Sequence, residues 1–326
     1  MQIIGKDTTA RPCVATIGTF DGVHRGHQFV ARQVVSHARE RGLDAVVLTF
    51  SNHPSQVLHQ VPARNVQLLS TAEEKTKLLQ QTGIDKVALL DFTQELAQMS
   101  AREFMRTILK GQLNVQVLLM GYDNHFGHDR MGFDDYRRYG QEQGIEVIGC
   151  EELASEQRIS STAIRQALLN GDVNTANTLL GYHYHLQGEV VLGFQNGRKL
   201  GYPTANLQVD ACKLIPENGA YLVRCQLSAL NSKPSALIPH SSFLIPHSSA
   251  FYGMLNIGTR PTLHNGRQRS IEVHIFDYDG NLYNQTLTVE LLQHLRKEQE
   301  FATLDDLQHQ LAADEAKCRM LLHSSY

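Results

Sequence analysis

No stretch of this sequence approaches the roughly 18 consecutive apolar residues of a membrane span, and its opening residues, MQIIGKDTTARPC, lack the apolar core of a secretory signal. A soluble, cytosolic protein with no membrane partner is expected. Dense blocks of lysine and arginine are also missing, and the formal net charge is only −3, which argues against a nucleic-acid partner. The five cysteines (Cys13, Cys150, Cys212, Cys225 and Cys318) are scattered, with no C-x-x-C pair. That spacing suits reduced thiols and not a disulfide frame or a cysteine zinc site. What is present is enough apolar material for two cores: 42% hydrophobic and 19% charged residues over 326 positions, about two domains of ordinary size.

The first half alternates short apolar runs with helical spacing. Val14–Ile17, Ala45–Phe50, Val87–Leu90, Val115–Met120 and Ile145–Gly149 read as strands. Gly26–Arg41 reads as a helix with Phe29, Val30, Val34 and Ala38 on its apolar stripe and Gly42 as its stop. Ser70-Thr-Ala-Glu73 and Ser100-Ala-Arg-Glu103 read as capping boxes opening further helices. This alternation predicts βαβ units and a parallel sheet covered on both faces.

After about Leu180 the pattern turns to β-branched, turn-punctuated stretches. Strands are expected at Glu189–Leu192, Tyr221–Leu227, Gly253–Ile257, Ile271–Phe276 and Leu287–Leu292. A closing helix capped by Thr303 would carry Leu304, Leu307 and Leu311 on one face. The expectation is an α/β chain: a doubly covered parallel sheet, then a small antiparallel barrel with a C-terminal helix, divided near Gly181–His185. Leu237-Ile-Pro-His-Ser-Ser242 recurs as Leu244-Ile-Pro-His-Ser-Ser249. Two copies are too few for a solenoid, and Pro239 and Pro246 disfavour a central strand. The pair reads as a slipped duplication that lengthens a hairpin loop.

The densest chemistry lies in GTFDGVHRGH, Gly18 to His27, between the first strand and the first helix. Gly18, Gly22 and Gly26 let the backbone approach a bulky anion. His24 and His27 stand three apart and would project to one side, beside the amides and positive dipole end of the helix. That set suits a nucleoside triphosphate. The competing reading of the histidines is a zinc site, for which His53 is the one tempting third ligand. His53, in Thr49-Phe-Ser-Asn-His-Pro54, faces the same crevice, and a plain loop histidine is an equal reading. Gly121-Tyr-Asp-Asn-His-Phe-Gly127 joins that rim with a mixture suited to a planar heterocycle. Arg158-Ile-Ser-Ser-Thr162, followed by Arg165, can be an ordinary helix cap; beside the histidine segment it reads as a second anion cradle.

At these residues the sequence resembles the bacterial bifunctional riboflavin kinase/FMN adenylyltransferases, also called FAD synthetases. GTFDGVHRGH matches that family's nucleotide signature, TFSNHP its Thr-Phe-x-x-His-Pro loop, GYDNHFG its Gly-x-Asp-Phe-Arg-Phe-Gly loop, and RISSTAIRQALLNGD its second ATP motif. The resemblance covers nearly the whole chain. It implies a Rossmann-like nucleotidyltransferase domain over 1–183 and a riboflavin kinase barrel over 184–326. In the first, the phosphate of FMN attacks the α-phosphorus of ATP and pyrophosphate leaves, giving FAD. Gly18, Phe20, Asp21, Gly22 and Gly26, with Ser160, Ser161 and Thr162, would line the ATP phosphates. His24 and His27 would hydrogen-bond them, Arg165 would hold the leaving pyrophosphate, and Mg²⁺ would bridge oxygens. His53, Asp123 and Arg158 would position FMN. Asn124 and His125 stand where the family usually has Phe-Arg, and Ala163 where Arg is common; these departures bear on flavin affinity more than on chemistry.

In the second half, Gly197-Arg-Lys-Leu-Gly-Tyr-Pro-Thr-Ala-Asn206 offers oxygen ligands, Thr204 and Asn206, suited to Mg²⁺ on a nucleotide phosphate. By itself it reads as a turn; within the resemblance it is the Pro-Thr-Ala-Asn signature of riboflavin kinase, with Gly201 and Pro203 on the ATP side. Ile271-Glu-Val-His-Ile-Phe276 alternates, so Ile271, Val273 and Ile275 would face a core and Glu272, His274 and Phe276 the other side. The resemblance makes Glu272 the base that takes the proton of the riboflavin 5′-hydroxyl, and places Arg296 on the flavin side. The competing readings are a chain with one working half, a flavin- or nucleotide-binding regulator without turnover, and an adenylyltransferase for another substrate such as a pantetheine phosphate. The last leaves Gly197–Asn206 unexplained.

Overall fold

The structure, a computed structural model, describes residues 2–3, 11–60, 62, 66–121, 124–155, 158–193, 197, 200–227, 250–262 and 266–325. The chain forms two compact units, Met1–Ala163 with Ala211–Leu214, and Ile164–Asp210 with Ile215–Tyr326.

The first unit is built on strands β1 (Gln2–Ile3), β2 (Cys13–Ile17), β3 (Asp44–Phe50), β4 (Lys86–Leu90), β5 (Val115–Met120) and β6 (Glu146–Gly149). They form one sheet in the order β1-β4-β3-β2-β5-β6, with every pair parallel. Successive residues go to opposite faces. Val14, Ala45, Val47, Val87 and Leu119 bury against Ala31, Val34 and Ala38 of helix α1 (Arg25–Arg41). Ala15, Val46, Leu48 and Leu118 bury against Phe104, Met105 and Leu109 on the other side. A strand buried on both faces has no polar alternation, which is why β2 reads as a continuous apolar run. The chain adds strands on one side of β2 and then crosses to the other at β5. This switch point opens a crevice at the carboxyl ends of the strands, and Gly18–His27 follows β2 there.

Helix α1 ends as its sequence predicts: Gly42 takes φ 65° and its N–H reaches the carbonyls of Ala38 and Arg39. Helix α2 (Pro54–Leu58) follows β3, and α3 (Ala72–Gln80) precedes β4. The capping box of α3 sits one residue later than expected, with Thr71 and Glu74 as its partners. The reason is that the Ser70 hydroxyl already accepts the Gly22 N–H at 2.9 Å. The Ser100/Glu103 box is present as expected. Thr71→Ala removes the cap on the Glu74 amide and should cost about 1 kcal/mol, read as a fall of roughly 2–4 °C in thermal midpoint for a unit of this size; an unchanged midpoint would show that water caps the helix equally well.

Helices α4 (Gln94–Gln98), α5 (Ala101–Phe104) and α6 (Phe133–Gln143) lie in the first unit, the division falls within α7 (Ser161–Leu169), and the second unit continues with α8 (Val173–Leu180). Its strands are β7 (His185–Val191), β8 (Ala205–Val209), β9 (Gly219–Leu227), β10 (Phe251–Thr262), β11 (Gly266–Ile275) and β12 (Thr286–Lys297). They close into an antiparallel barrel in the order β10-β11-β8-β7-β12-β9. Ile271, Val273 and Ile275 are buried with Leu255, Ile257, Tyr221 and Val223, so the expected core face of β11 is the core face. Phe276 lies on the other side, as expected, and is not exposed there. It is buried beneath the C-terminal helix Leu304–Ser325, in a second cluster with Leu222, Met254 and Cys318.

That helix starts where Thr303 caps the Asp306 amide at 3.1 Å, but its packed face is Leu311, Cys318, Leu321 and Leu322. Leu304, expected on that face, is 69% exposed in the first turn. Strand β8 was not among the expected strands; its short run lies between β7 and β11, whose ladders it completes. The duplicated hexapeptides, 237–242 and 244–249, lie outside the described residues. No helix among the described residues is long and apolar enough to cross a membrane.

Candidate active sites

In the first unit the segment after β2 is wound tightly. Phe20, Gly22 and Val23 all take positive φ, at 49°, 77° and 38°. For a β-branched residue such as Val23 that conformation is strained, and strain of this kind concentrates at ligand clamps. His24 caps α1, its Nδ1 accepting the His27 N–H at 3.4 Å. The two rings stack, centroids 3.6 Å apart and 16° from parallel, with Phe20 5.0 Å from His27. Gly18 and Gly26 are small for these rings: a Cβ on Gly18 would lie 3.0 Å from the Phe20 ring, and one on Gly26 3.3 Å from His24. The His27 Nδ1 is sealed from water and has no hydrogen-bond partner among the described residues. Burial, then the neighbouring His24 and Lys75, hold the His27 pKa well below the ordinary value. An orphaned, neutral imidazole at a helix start is a group waiting for an acceptor.

The loop is held from beneath. The Asp21 carboxylate accepts the N–H groups of Leu69 at 2.9 Å and Ser70 at 3.1 Å. Asp21 is therefore a brace for the Gly18–His27 segment, with its carboxylate turned toward the 69–70 backbone. The Ser161 hydroxyl donates to the Asp21 carbonyl at 3.0 Å, so the two expected ATP motifs are bonded to each other. Ser160 caps α7 through the Ala163 N–H at 3.2 Å. Thr162 and Arg158 are exposed and Arg165 half-buried, on or just before α7.

A hollow at the end of β3 is lined by Thr19, Asp21, Phe50, Asn52, His53, Ser70 and Lys75. His53 caps α2 through the Ser55 N–H at 3.2 Å and meets the Ser55 hydroxyl at 2.7 Å. Asn124 donates to the Ile17 carbonyl and His125 meets the Met131 carbonyl, so both departures from the family loop are engaged with backbone. Asp123 lies outside the described residues. Among the described residues, no group of three or more His, Cys, Asp or Glu side chains is placed to hold a metal. Lys75 is the residue missed by sequence reading. Its buried ammonium donates to the carbonyls of Thr19 at 3.0 Å and Phe50 at 2.8 Å, and burial lowers its pKa to about 8 against the opposing pull of Asp21. A signal existed: Lys75 stands four positions before the core residue Leu79, on the inward stripe of α3.

In the second unit Glu272 on β11 pairs with Asn206 on β8 and Asn256 on β10. The Thr204 hydroxyl donates to the Glu272 carboxylate at 3.4 Å. Thr204, Asn206 and Glu272 therefore converge. Asn206 lies against Gly193, where a Cβ would come within 2.0 Å of its amide. Pro203 presents its carbonyl to His274 Nδ1 at 2.8 Å. Gly201 takes φ 84° with open space where a Cβ would be. The Arg296 guanidinium grips Asp314 of the C-terminal helix, with Nε 3.1 and 3.0 Å from the two carboxylate oxygens.

Residues 6–163 match the family model for FAD synthetase, and 180–322 that for riboflavin kinase. A bifunctional riboflavin kinase/FMN adenylyltransferase of Pseudomonas fluorescens is 37% identical over 98% of this chain and 98% of its own length. The chain belongs to that family. A member from Escherichia coli K12 is 36% identical over 94% of this chain and 92% of its own. A crystal structure described as a macrolide-efflux protein from Streptococcus pneumoniae superposes with a TM-score of 0.81 at 31% identity, covering 96% of this chain and 95% of that one. The His24/His27 segment and Ser160–Thr162 lie within the stretch matched by the FAD synthetase model, and Thr204, Asn206 and Glu272 within the stretch matched by the riboflavin kinase model.

Proposed function

We propose that this chain converts riboflavin to FAD in two ATP-dependent steps, with 184–326 carrying the kinase and 1–183 the adenylyltransferase. The convergence of Thr204, Asn206 and Glu272 on adjacent strands carries the first reading. The riboflavin 5′-oxygen attacks the γ-phosphorus of ATP, its bond to ADP breaks, and the hydroxyl proton passes to the Glu272 carboxylate. Thr204 and Asn206 supply hard oxygen donors, and the glycine at 193 leaves Asn206 room to turn its amide oxygen outward. This donor set fits Mg²⁺, which when bound neutralises phosphate charge. Gly201 and Pro203 shape the approach of the nucleotide.

In the second step an oxygen of the FMN phosphate attacks the α-phosphorus of ATP, the bond to the β-phosphate breaks, and pyrophosphate departs. No protein nucleophile enters, so this chain supplies position and charge. His24 and His27 donate to the phosphates, with Arg165, Ser161 and Thr162 on the pyrophosphate. Gly18, Phe20, Asp21, Gly22 and Gly26 shape the loop, and His53, Asp123 and Arg158 receive FMN. A cytosolic location is part of the same reading, supported by five scattered cysteines with no C-x-x-C pair.

Purified protein given riboflavin, ATP and Mg²⁺ should yield FMN and then FAD on chromatography of the flavins. Chelating divalent cations with EDTA should stop both conversions, and added Mg²⁺ should restore them. Flavin products formed undiminished in EDTA would remove the metal from the proposal.

A further inference from the structure

The sequence between β8 and β9 belongs to the stretch matched by riboflavin kinase, yet Ala211–Leu214 packs as part of the first unit. Leu68 pairs in parallel with Lys213. The Leu68 N–H donates to the Cys212 carbonyl, and the Leu214 N–H to the Leu68 carbonyl, both at 2.8 Å. Lys213 then reaches inward. Its ammonium donates to the Leu69 carbonyl at 2.8 Å and to the Glu74 carboxylate at 2.6 Å, with side-chain exposures of 1% and 4% for the ion pair.

The backbone so gripped is the one that braces the phosphate loop. Leu69 and Ser70 give their N–H groups to the Asp21 carboxylate, and the Ser70 hydroxyl receives the Gly22 N–H. Every link from Lys213 to Gly22 is thus a hydrogen bond at ordinary length. Glu74 also accepts the Thr71 N–H, and the next residue, Lys75, ties the ends of β2 and β3 through two carbonyls. A buried ion pair is poor value as a stabiliser, because desolvation offsets most of its attraction. Its better-attested use is to fix one arrangement among several.

We infer that Lys213, though it lies in the kinase half of the sequence, is a positioning residue for adenylyl transfer: it sets residues 68–70, which set Asp21 and Gly22 beneath the ATP phosphates. The inference rests on the adenylyltransferase reading of the first unit. Lys213 touches no substrate; it acts through the loop.

Two full-length variants test it, Lys213→Met and the double variant Lys213→Met/Glu74→Gln. Lys213→Met should lower kcat for FAD formation from supplied FMN at least tenfold, with KM for FMN within about twofold and FMN formation from riboflavin unchanged. It should also lower the thermal midpoint, since Glu74 keeps its buried charge without the ammonium. In the double variant no such charge is left, so the midpoint should recover while kcat stays low, because the Leu69 carbonyl still lacks its anchor. A purely structural role predicts the opposite, kcat recovering with the midpoint, and that result would overturn the inference. So would equal losses in both reactions, or an unaltered FAD rate in either variant. Should Lys213→Met fail to fold, the double variant decides alone by its FAD rate. Wild-type protein that makes no FAD from FMN would instead unseat the adenylyltransferase reading itself.

Discussion

Replacing Glu272 by alanine should lower kcat for FMN formation from riboflavin by about a thousandfold, roughly 4 kcal/mol of barrier, while conversion of supplied FMN to FAD proceeds as before. The size follows from what a positioned base contributes, about 10²- to 10⁴-fold. The position follows from the barrel. Glu272 is fixed in backbone register opposite Asn206 and Asn256 on two neighbouring strands, and its carboxylate accepts the Thr204 hydroxyl at 3.4 Å. Its neighbours along β11, Ile271 and Val273, are buried in the barrel core and hold the strand, so the side chain can be removed without a core cavity. Glu272→Gln keeps the shape and the contact with Thr204 but cannot take a proton; it should fall with the alanine variant. An FMN-forming Gln variant would show that Glu272 orients the site and that another group or water takes the proton. The adenylyl step has a phosphate as nucleophile, already ionised, and needs no base. Equal loss of both reactions would therefore defeat the assignment.

The parts of this structure that could be read from sequence are those fixed by local periodicity and local bonding. Apolar runs gave the strands of the sheet because strands buried on both faces tolerate nothing else, and Ile271-Glu-Val-His announced its two faces by alternation. Gly42 and the Ser100/Glu103 pair are local too. The misses share a different cause, a competing partner far along the chain. Ser70 lost its role as a cap because Gly22 claims its hydroxyl. The pairing of Arg296 with Asp314 was not foreseen. Leu304 fits the helical stripe and still faces water, because the packed cluster takes its helix residues from Leu311 onward. Nor was it foreseen that the Asp21 carboxylate accepts the Leu69 and Ser70 N–H groups. Lys75 and Lys213 were invisible for the same reason: a lysine is ordinarily a surface residue, and only the folded backbone shows which carbonyls wait for it. In the first unit the sequence motifs picked out the segment at the end of β2, and the residues that brace it emerged only with the fold.

His27→Ala should cut FAD formation by at least about a hundredfold, or roughly 2.7 kcal/mol, with FMN accumulating from riboflavin at the wild-type rate. The imidazole is preorganised: it stacks on His24, contacts Phe20, and carries a buried ring nitrogen without a partner among the described residues. A donor held in a dry site and aimed at developing charge is worth about 10²- to 10³-fold. Removing it should barely lower stability at neutral pH, since the orphaned nitrogen is a cost to the folded state. Acid should make the contrast sharper. The folded pKa of His27 lies below its ordinary 6.5, so the unfolded chain takes up a proton first, and the wild type loses stability as pH falls below about 6.5. His27→Ala abolishes that contribution, so its thermal midpoint should decline less steeply over the same range. A variant with a collapsed midpoint at pH 7 would mean that the ring is there for packing, and a full FAD rate would mean that the phosphates are met by other donors. Loss of FMN formation together with FAD would show that the ring serves both reactions, against the assignment of His27 to adenylyl transfer alone.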